Sequence, residues 1–560
     1  MTTNSVSTTA ATSEDAAHAA VSWLPLIILV LAQLQMGFNI NALPVSIGPV
    51  SEDLNVPPTA IGTALVVYSL FVAAFVMLGA KIGKLFGERL VFQVSVAAHG
   101  LAMVLMTIST DAGMMNLAQL IAGIAAAALV PTLVVLIAAN YRDRQQSQAL
   151  GILASVPAIA SGVAFVVAGF IATALSWRYS FGLIALLAIA VLVLSFRLKP
   201  IPRQTGIRID VVGVVLSAVA ISLILFGFNN INQWGLLWAT PAAPVSLLGV
   251  SPVPIMIILG IVLGQGFFIW SHKRVADQKR PLLALEVLDS PEERNAVIVF
   301  LVAGALGTAV TFLIPLYIQF VMNRTPLFTA VAIVPYALAV AVAAIVSVRL
   351  YGRLTPRKLG VISFVLVAIG SVSVALTISN NWGTSFVILG LLVLGLGEGT
   401  MLTLLFNVLV SASPKQLAGD VGALRGVANN VSSALGAAFA TVVAVGLLSA
   451  AIHTSFARSD LPPSLKTEIN FDNIDFVSND QLKAVLARTS ASPQQVDEAV
   501  LINAEARLRA LKATFILIAG ISLLAIFPAM GLPKYAPGKL SSEDIINETA
   551  STEVKAAPAA

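Results

Sequence analysis

An acidic side chain deep inside an apolar run is the first residue that needs an account. Glu398, in LGLGEGTML, lies about fifteen residues from one end of an apolar stretch at 383–411 and fourteen from the other. An ionisable group at that depth is costly and marks a functional site by default. A carboxyl there can take a proton on one side of a membrane and release it on the other, or it can attract a cationic solute. The plainer reading is a carboxyl hydrogen-bonded to a neighbour, holding two helices together. Gly395, Gly397 and Gly399 flank it and let backbones or a ligand approach closely, which favours the functional reading. Arg425 stands near the start of the next apolar stretch, 421–451. It either snorkels back to water or meets a gating partner or an anionic ligand. His99, central in the stretch 90–110, is a proton carrier or a packed core group.

Neutral hydrogen-bonding groups accompany these. The first apolar stretch carries Gln33, Gln35, Asn39 and Asn41, and the thirteenth carries Asn429 and Asn430. Gln35 and Asn39 are four apart and share a helical face. With Asn407 and Tyr68 they outline an apolar-walled cavity suited to an amphipathic, largely uncharged substrate. Packing between helices is an equal alternative for any one of them.

The elements that must position these residues follow from composition. Apolar residues make up 58% of the 560 positions and charged residues only 11%, far from a soluble globular chain. Unbroken apolar runs of about twenty residues recur, and in lipid such runs must be helices. Fourteen spans are expected in an all-α polytopic membrane protein. Residues 1–22 and 532–560 read as cytoplasmic tails, and the first of these lacks the basic region of a cleaved signal peptide. Lys81, Lys84, Arg89, Arg142, Arg144, Arg197, Lys199, Lys273, Arg274, Arg349 and Arg353 all fall in loops on one face. The excess of positive charge makes that face cytoplasmic, with both termini on it. A polar excursion at about 453–511 lies on the outer face, where Ser478 caps a short helix through Leu486 and Ser492-Pro493 opens another. It offers a surface for an outer protein partner. The chain has no Cys, four scattered His and no GxxxxGK[ST] phosphate loop. This argues against disulfides, thiolate metal sites, a metal cluster and direct ATP use. No enzyme activity, no cofactor beyond a proton gradient and no nucleic-acid partner are expected.

Ordered motifs then add a resemblance. NALPVSIGPVSEDLNVPPTAIGTALVVYSL with Tyr68, LSWRYSFGL with Trp177 and Arg178, and IPLYIQFVMNRTPLFTAVAIVPYAL with Tyr317, Gln319 and Pro335 stand in sequence. Together they resemble the fourteen-helix drug:proton antiporter branch of the major facilitator superfamily over nearly the whole chain. GAKIGKLFGERLVF and YGRLTPRKLGVIS are a weaker echo of the basic turn in both halves of a duplicated transporter. The resemblance implies two six-helix bundles, at 23–197 and 294–531, with residues 198–293 contributing two inserted helices, and rocking about a central cavity. The proton-exchange motifs are degenerate. The inner loop reads Lys84, Phe86, Gly87, Glu88 with its charges reversed. The helix-1 acid falls near Gln35, the helix-4 Arg at Gln119, and the helix-5 Gly-Pro at Ala164-Phe165.

In the family, the acid at the Lys84 position faces the start of the thirteenth helix, where a helix dipole favours an anion. A lysine there needs an answer. Asp420 could supply it as a charge-swapped inner latch, while a local Lys84–Glu88 pair or a solvated loop is the simpler arrangement. The expectation is therefore a secondary transporter in a bacterial-type cytoplasmic membrane. It exports an amphipathic small molecule, drug-like or a lipid, with Glu398 as coupling or recognition group. A proton-independent facilitator or lipid translocator, and a non-transporting receptor or scaffold, are the alternatives.

Overall fold

The computed structural model describes residues 22–534 apart from 142, 204–207, 289, 351–352, 380–384, 413–417, 459–478 and 487–491. Its long helices are α1 (Leu24–Val45), α2 (Pro58–Phe86), α3 (Glu88–Thr107), α4 (Ala112–Asn140), α5 (Asp143–Ala174), α6 (Trp177–Ser195), α7 (Val211–Asn229), α8 (Pro252–Ala276), α9 (Pro291–Leu316), α10 (Pro326–Leu350), α11 (Pro356–Thr377), α12 (Ser385–Ala412), α13 (Ala418–Arg458) and α14 (Pro493–Leu524). Among the described residues, twelve helices are long and apolar enough to cross a membrane. Two shorter apolar stretches, Ile159–Ala174 and Phe386–Met401, lie within α5 and α12.

Local sequence sets the helix starts. Ser251, Ser290, Thr355 and Ser492 each cap a helix whose first residue is proline. A proline there gives up no helical N–H, and the hydroxyl accepts from a backbone N–H that has no partner within the helix. Ser290 with Glu293 and Ser492 with Gln495 complete capping boxes. The helix opened by Ser492-Pro493 runs without a break into the last span as α14, and α13 likewise continues to Arg458. The short helix expected up to Leu486 is present as Asn479–Leu486, whereas Ser478 lies outside the described residues.

Packing divides along the chain. α2 lies along α4, α3 on α4 and α6, and α1 on α5 and α6. In the second half α12 packs between α10 and α11, α9 against α13, and α14 against α11 and α13. Two extensive pairings join the halves, α2 with α13 and α5 with α10, while α7 and α8 pack chiefly on each other. Small residues allow the closest crossings. A Cβ on Gly123 of α4 would stand 2.6 Å from the Tyr68 carbonyl oxygen of α2. In α12, Gly395 faces the Tyr336 carbonyl oxygen of α10 at 2.6 Å and Gly397 faces the Ser363 carbonyl oxygen of α11, also at 2.6 Å. Gly399 returns to α10 at Val340. Residues 395 and 399 share one face and 397 the opposite one, which leaves position 398 aimed in a third direction. The glycines therefore serve backbone approach, the packing half of the expectation for them.

Candidate functional site

That third direction is α9. Glu398 stands at the fourteenth of the twenty-eight positions of α12, and a Cβ added to Gly307 of α9 would collide with its carboxylate. The Tyr336 hydroxyl of α10 donates a hydrogen bond to Glu398 Oε2. Beside Glu398 lies a cavity of about 10 Å³ lined by Ala303, Leu306 and Val310 of α9, Phe364 and Val367 of α11, and Met401 of α12. That volume suits a single water and excludes a drug-sized solute. Glu398 is thus packed among helices of the second half, where its side chain is partly buried.

The amides of α1 do not converge on that carboxylate. Gln35 Nε2 lies 2.8 Å from His99 Nδ1 of α3, both residues fully buried. Asn39 and Gln119 of α4 exchange two hydrogen bonds, of 3.0 and 3.1 Å. Asn41 accepts from Ser161 of α5 at 3.0 Å. These groups bind α1 to α3, α4 and α5 within the first half, so the face that Gln35 and Asn39 share points into that half rather than toward the second. Gln35 Oε1 and His99 Nε2 remain buried with no protein partner. Tyr68 is buried in α2. Asn430 turns back on the Gly426 carbonyl at 2.8 Å, Asn429 is exposed, and Arg425 is partly buried near the start of α13. The Asn407 side chain lies outside the described residues.

At the face carrying the basic loops, the contact differs from the latch drawn between Lys84 and Asp420. Asp420 meets Lys81, with Nζ 3.9 Å from Oδ1, and accepts from the Ala284 N–H at 3.4 Å. Residues 81 and 84 lie three apart on neighbouring turns of α2, and the depth at which α13 starts brings the earlier one level with Asp420. Among the described residues no ion pair within 4 Å joins Lys84 to Asp420 or to Glu88. After Gly87 turns the chain at φ 98°, Glu88 folds back onto Gly83 and is buried.

On the opposite face a second set of contacts joins the halves, and here Gln319 does something its motif did not announce. The turn at Tyr317–Val321 is a π-helical continuation of α9 that follows Pro315. Such turns interrupt the regular ladder and occur often at functional sites. Gln319 Nε2 donates to the Val45 carbonyl at 2.8 Å and to Thr329 Oγ1 at 3.2 Å, while its Oε1 accepts from the Gly48 N–H at 2.7 Å. The Leu327 N–H donates to Thr173 Oγ1 at 2.9 Å nearby. The short helix Ile47–Asp53 that carries Gly48 is itself fixed: Asp53 accepts from Trp177 Nε1 and pairs with Arg178, both at 2.8 Å. The buried Arg507 of α14 donates to the Phe320 carbonyl of the π turn. A glutamine is a neutral letter in sequence, and only its reach across two chain segments marks it out.

Residues 29–437 match the Major Facilitator Superfamily. The chain is 27% identical over 440 residues to a puromycin resistance protein of Streptomyces alboniger, covering 76% of this chain and 83% of that one. It is 25% identical to a multidrug efflux pump of Mycolicibacterium smegmatis, over 80% of this chain and 84% of the pump. It is 22% identical to a tetracenomycin C resistance and export protein of Streptomyces glaucescens, over 79% of each. Its fold resembles the inward-facing, unoccupied structure of a bacterial homologue of the human lysosomal transporter Spinster. The TM-score is 0.60 and the identity 13%, over 90% of this chain and 97% of that one.

Proposed function

Since this chain belongs to the Major Facilitator Superfamily and is thereby a multi-pass membrane transporter, we propose that it exports an amphipathic, drug-like small molecule by alternating access, with Glu398 coupling transport to protons. The observation that carries the coupling role is the mid-helix carboxylate of α12, hydrogen-bonded to Tyr336 of α10 and pressed against Gly307 of α9. A proton exchanged there changes the charge that three helices share, and helix positions that depend on it shift together. The export reading is supported by relatives named for resistance, efflux and export. In this reading the apolar stretches within α5 and α12 also cross the bilayer, giving fourteen spans of the drug:proton antiporter branch. Helices α1–α6 and α9–α14 form the two bundles, α7 and α8 are the insert, and the basic loops and both termini face the cytoplasm. The contacts at Lys81–Asp420 and at Gln319 act as inner and outer gates.

A proton-independent facilitator is favoured by one observation, the wholly neutral Asn39–Gln119 pair in the first half. Purified protein in phospholipid vesicles, loaded with a lipophilic cationic dye, separates the readings. Proton coupling requires dye flux that accelerates with an imposed pH gradient in the wild type and ignores the gradient in Glu398→Gln. Equal gradient dependence in both proteins removes Glu398 from the coupling. Gradient-independent flux in both establishes the facilitator.

A further inference from the structure

The connection between α7 and α8, residues 230–251, emerges on the same face as Gln319 and is built unlike a loop in water. Between Asp210 and His272 the sequence contains no Asp, Glu, Lys, Arg or His, so the connection, all of α7 and α8 up to Ser271 are uncharged. Its large side chains point outward. Leu248 is 96% exposed and Trp238 72%, and Leu236, Leu237, Val245 and Leu247 are all more than half exposed. Scattered exposed apolar residues are ordinary, but six within thirteen positions and no charge among them form a patch that water would not support.

Part of the backbone beneath that patch is paired internally, as lipid requires of the polar groups it surrounds. The Ala239 N–H donates to the Gly249 carbonyl and the Ser251 N–H to the Leu237 carbonyl, each at 2.9 Å. The Val250 N–H donates to the Leu247 carbonyl at 2.9 Å, and the Thr240 N–H to the Trp234 carbonyl at 3.1 Å. Gly235 and Gly249, at φ 83° and 82°, supply the left-handed turns this needs. The base is fixed to the protein. Asn232 Nδ2 donates to the Val442 carbonyl of α13 at 3.1 Å, and Trp234 packs edge-on against Phe226 of α7 at 5.5 Å. The patch continues onto the outward side of α8, where Ile255 and Ile258 are exposed to the lipid that surrounds a spanning helix.

We infer that residues 236–248 form a lipid-docking hairpin that dips into the phospholipid leaflet on the Gln319 face. Trp238 sits at the headgroup level, where indole rings are favoured, and Leu247 and Leu248 lie deeper. Through Asn232 the hairpin also ties α13, one of the helices that join the two halves, to that leaflet.

The chain has no cysteine, so a single Leu248→Cys takes one nitroxide label, and at 96% exposure its replacement disturbs little packing. Lys279→Cys, in the charged loop after α8, is the water-exposed control. In vesicles of phosphatidylethanolamine and phosphatidylglycerol, the label at 248 should collide more often with oxygen than with a water-soluble nickel chelate. The label at 279 should show the reverse. Brominated phosphatidylcholine should also quench wild-type tryptophan emission more than that of Trp238→Phe. Preferential access of the chelate at 248, or access by neither reagent as under a bound protein partner, overturns the inference.

Discussion

Replacing Tyr336 by Phe removes one hydroxyl and leaves the ring in place. In the structure that hydroxyl is the hydrogen-bond donor to Glu398 Oε2, and the lining around the carboxylate is otherwise apolar. A hydrogen bond to a charged group is worth about 1.5–3 kcal/mol, because the alternative is a carboxylate oxygen without its donor. If the bond forms on the way from one access state to the other, its loss slows that step by about 10- to 150-fold. Gradient-driven dye flux in vesicles should therefore fall by one to two orders of magnitude in Tyr336→Phe. Groups that act through one bond are not additive, so Tyr336→Phe in the Glu398→Gln background should cost far less than in the wild type. A double variant whose flux equals the product of the two single losses would refute the claim that the pair works as a unit. Circular dichroism of each variant checks that the helices persist.

Gly307→Ala should abolish the wild-type arrangement of Glu398, since the new Cβ occupies the space of the carboxylate, and Gly307→Ala with Glu398→Ala should restore thermal stability measured by scanning fluorimetry. Asn39→Leu alone should destabilise the first half by about 1–3 kcal/mol by leaving the Gln119 amide unpaired, and adding Gln119→Leu should return part of that, as read from unfolding in mixed micelles. Exchanging Lys81→Asp with Asp420→Lys should recover flux lost in either single change, whereas Lys84→Asp with Asp420→Lys should not. The Lys81–Asp420 pair is long and partly exposed, so its direct stabilisation is below about 1 kcal/mol and the effect belongs to transport rather than folding. Gln319→Ala should raise the reactivity of a cysteine placed at Gly48, measured by thiol labelling from the Gln319 face, because the bridge from Val45 and Gly48 to Thr329 is lost.

The succession of long helices was legible because an apolar run in lipid has no other way to pair its backbone, and the prolines with their preceding hydroxyls fixed where several begin. Glu398 was legible for the same reason: a carboxyl amid glycines and leucines stands out by its cost. Its partner was not. Tyr336 lies 62 positions away, at the end of a motif that marked Pro335 beside it, and only the packing of α10 on α12, allowed by Gly395 and Gly399, brings the two together. The shared face of Gln35 and Asn39 followed from helical spacing, yet the rotation of α1 that turns this face to His99 and Gln119 depends on every neighbour α1 has. The meeting of Asp420 with Lys81 instead of Lys84 is a matter of depth along two helices that are not consecutive. Spacing within one helix is fixed by covalent geometry and can be read from the chain. The rotation and depth of one helix against another are set by side chains meeting across hundreds of residues, and only the folded molecule decides them.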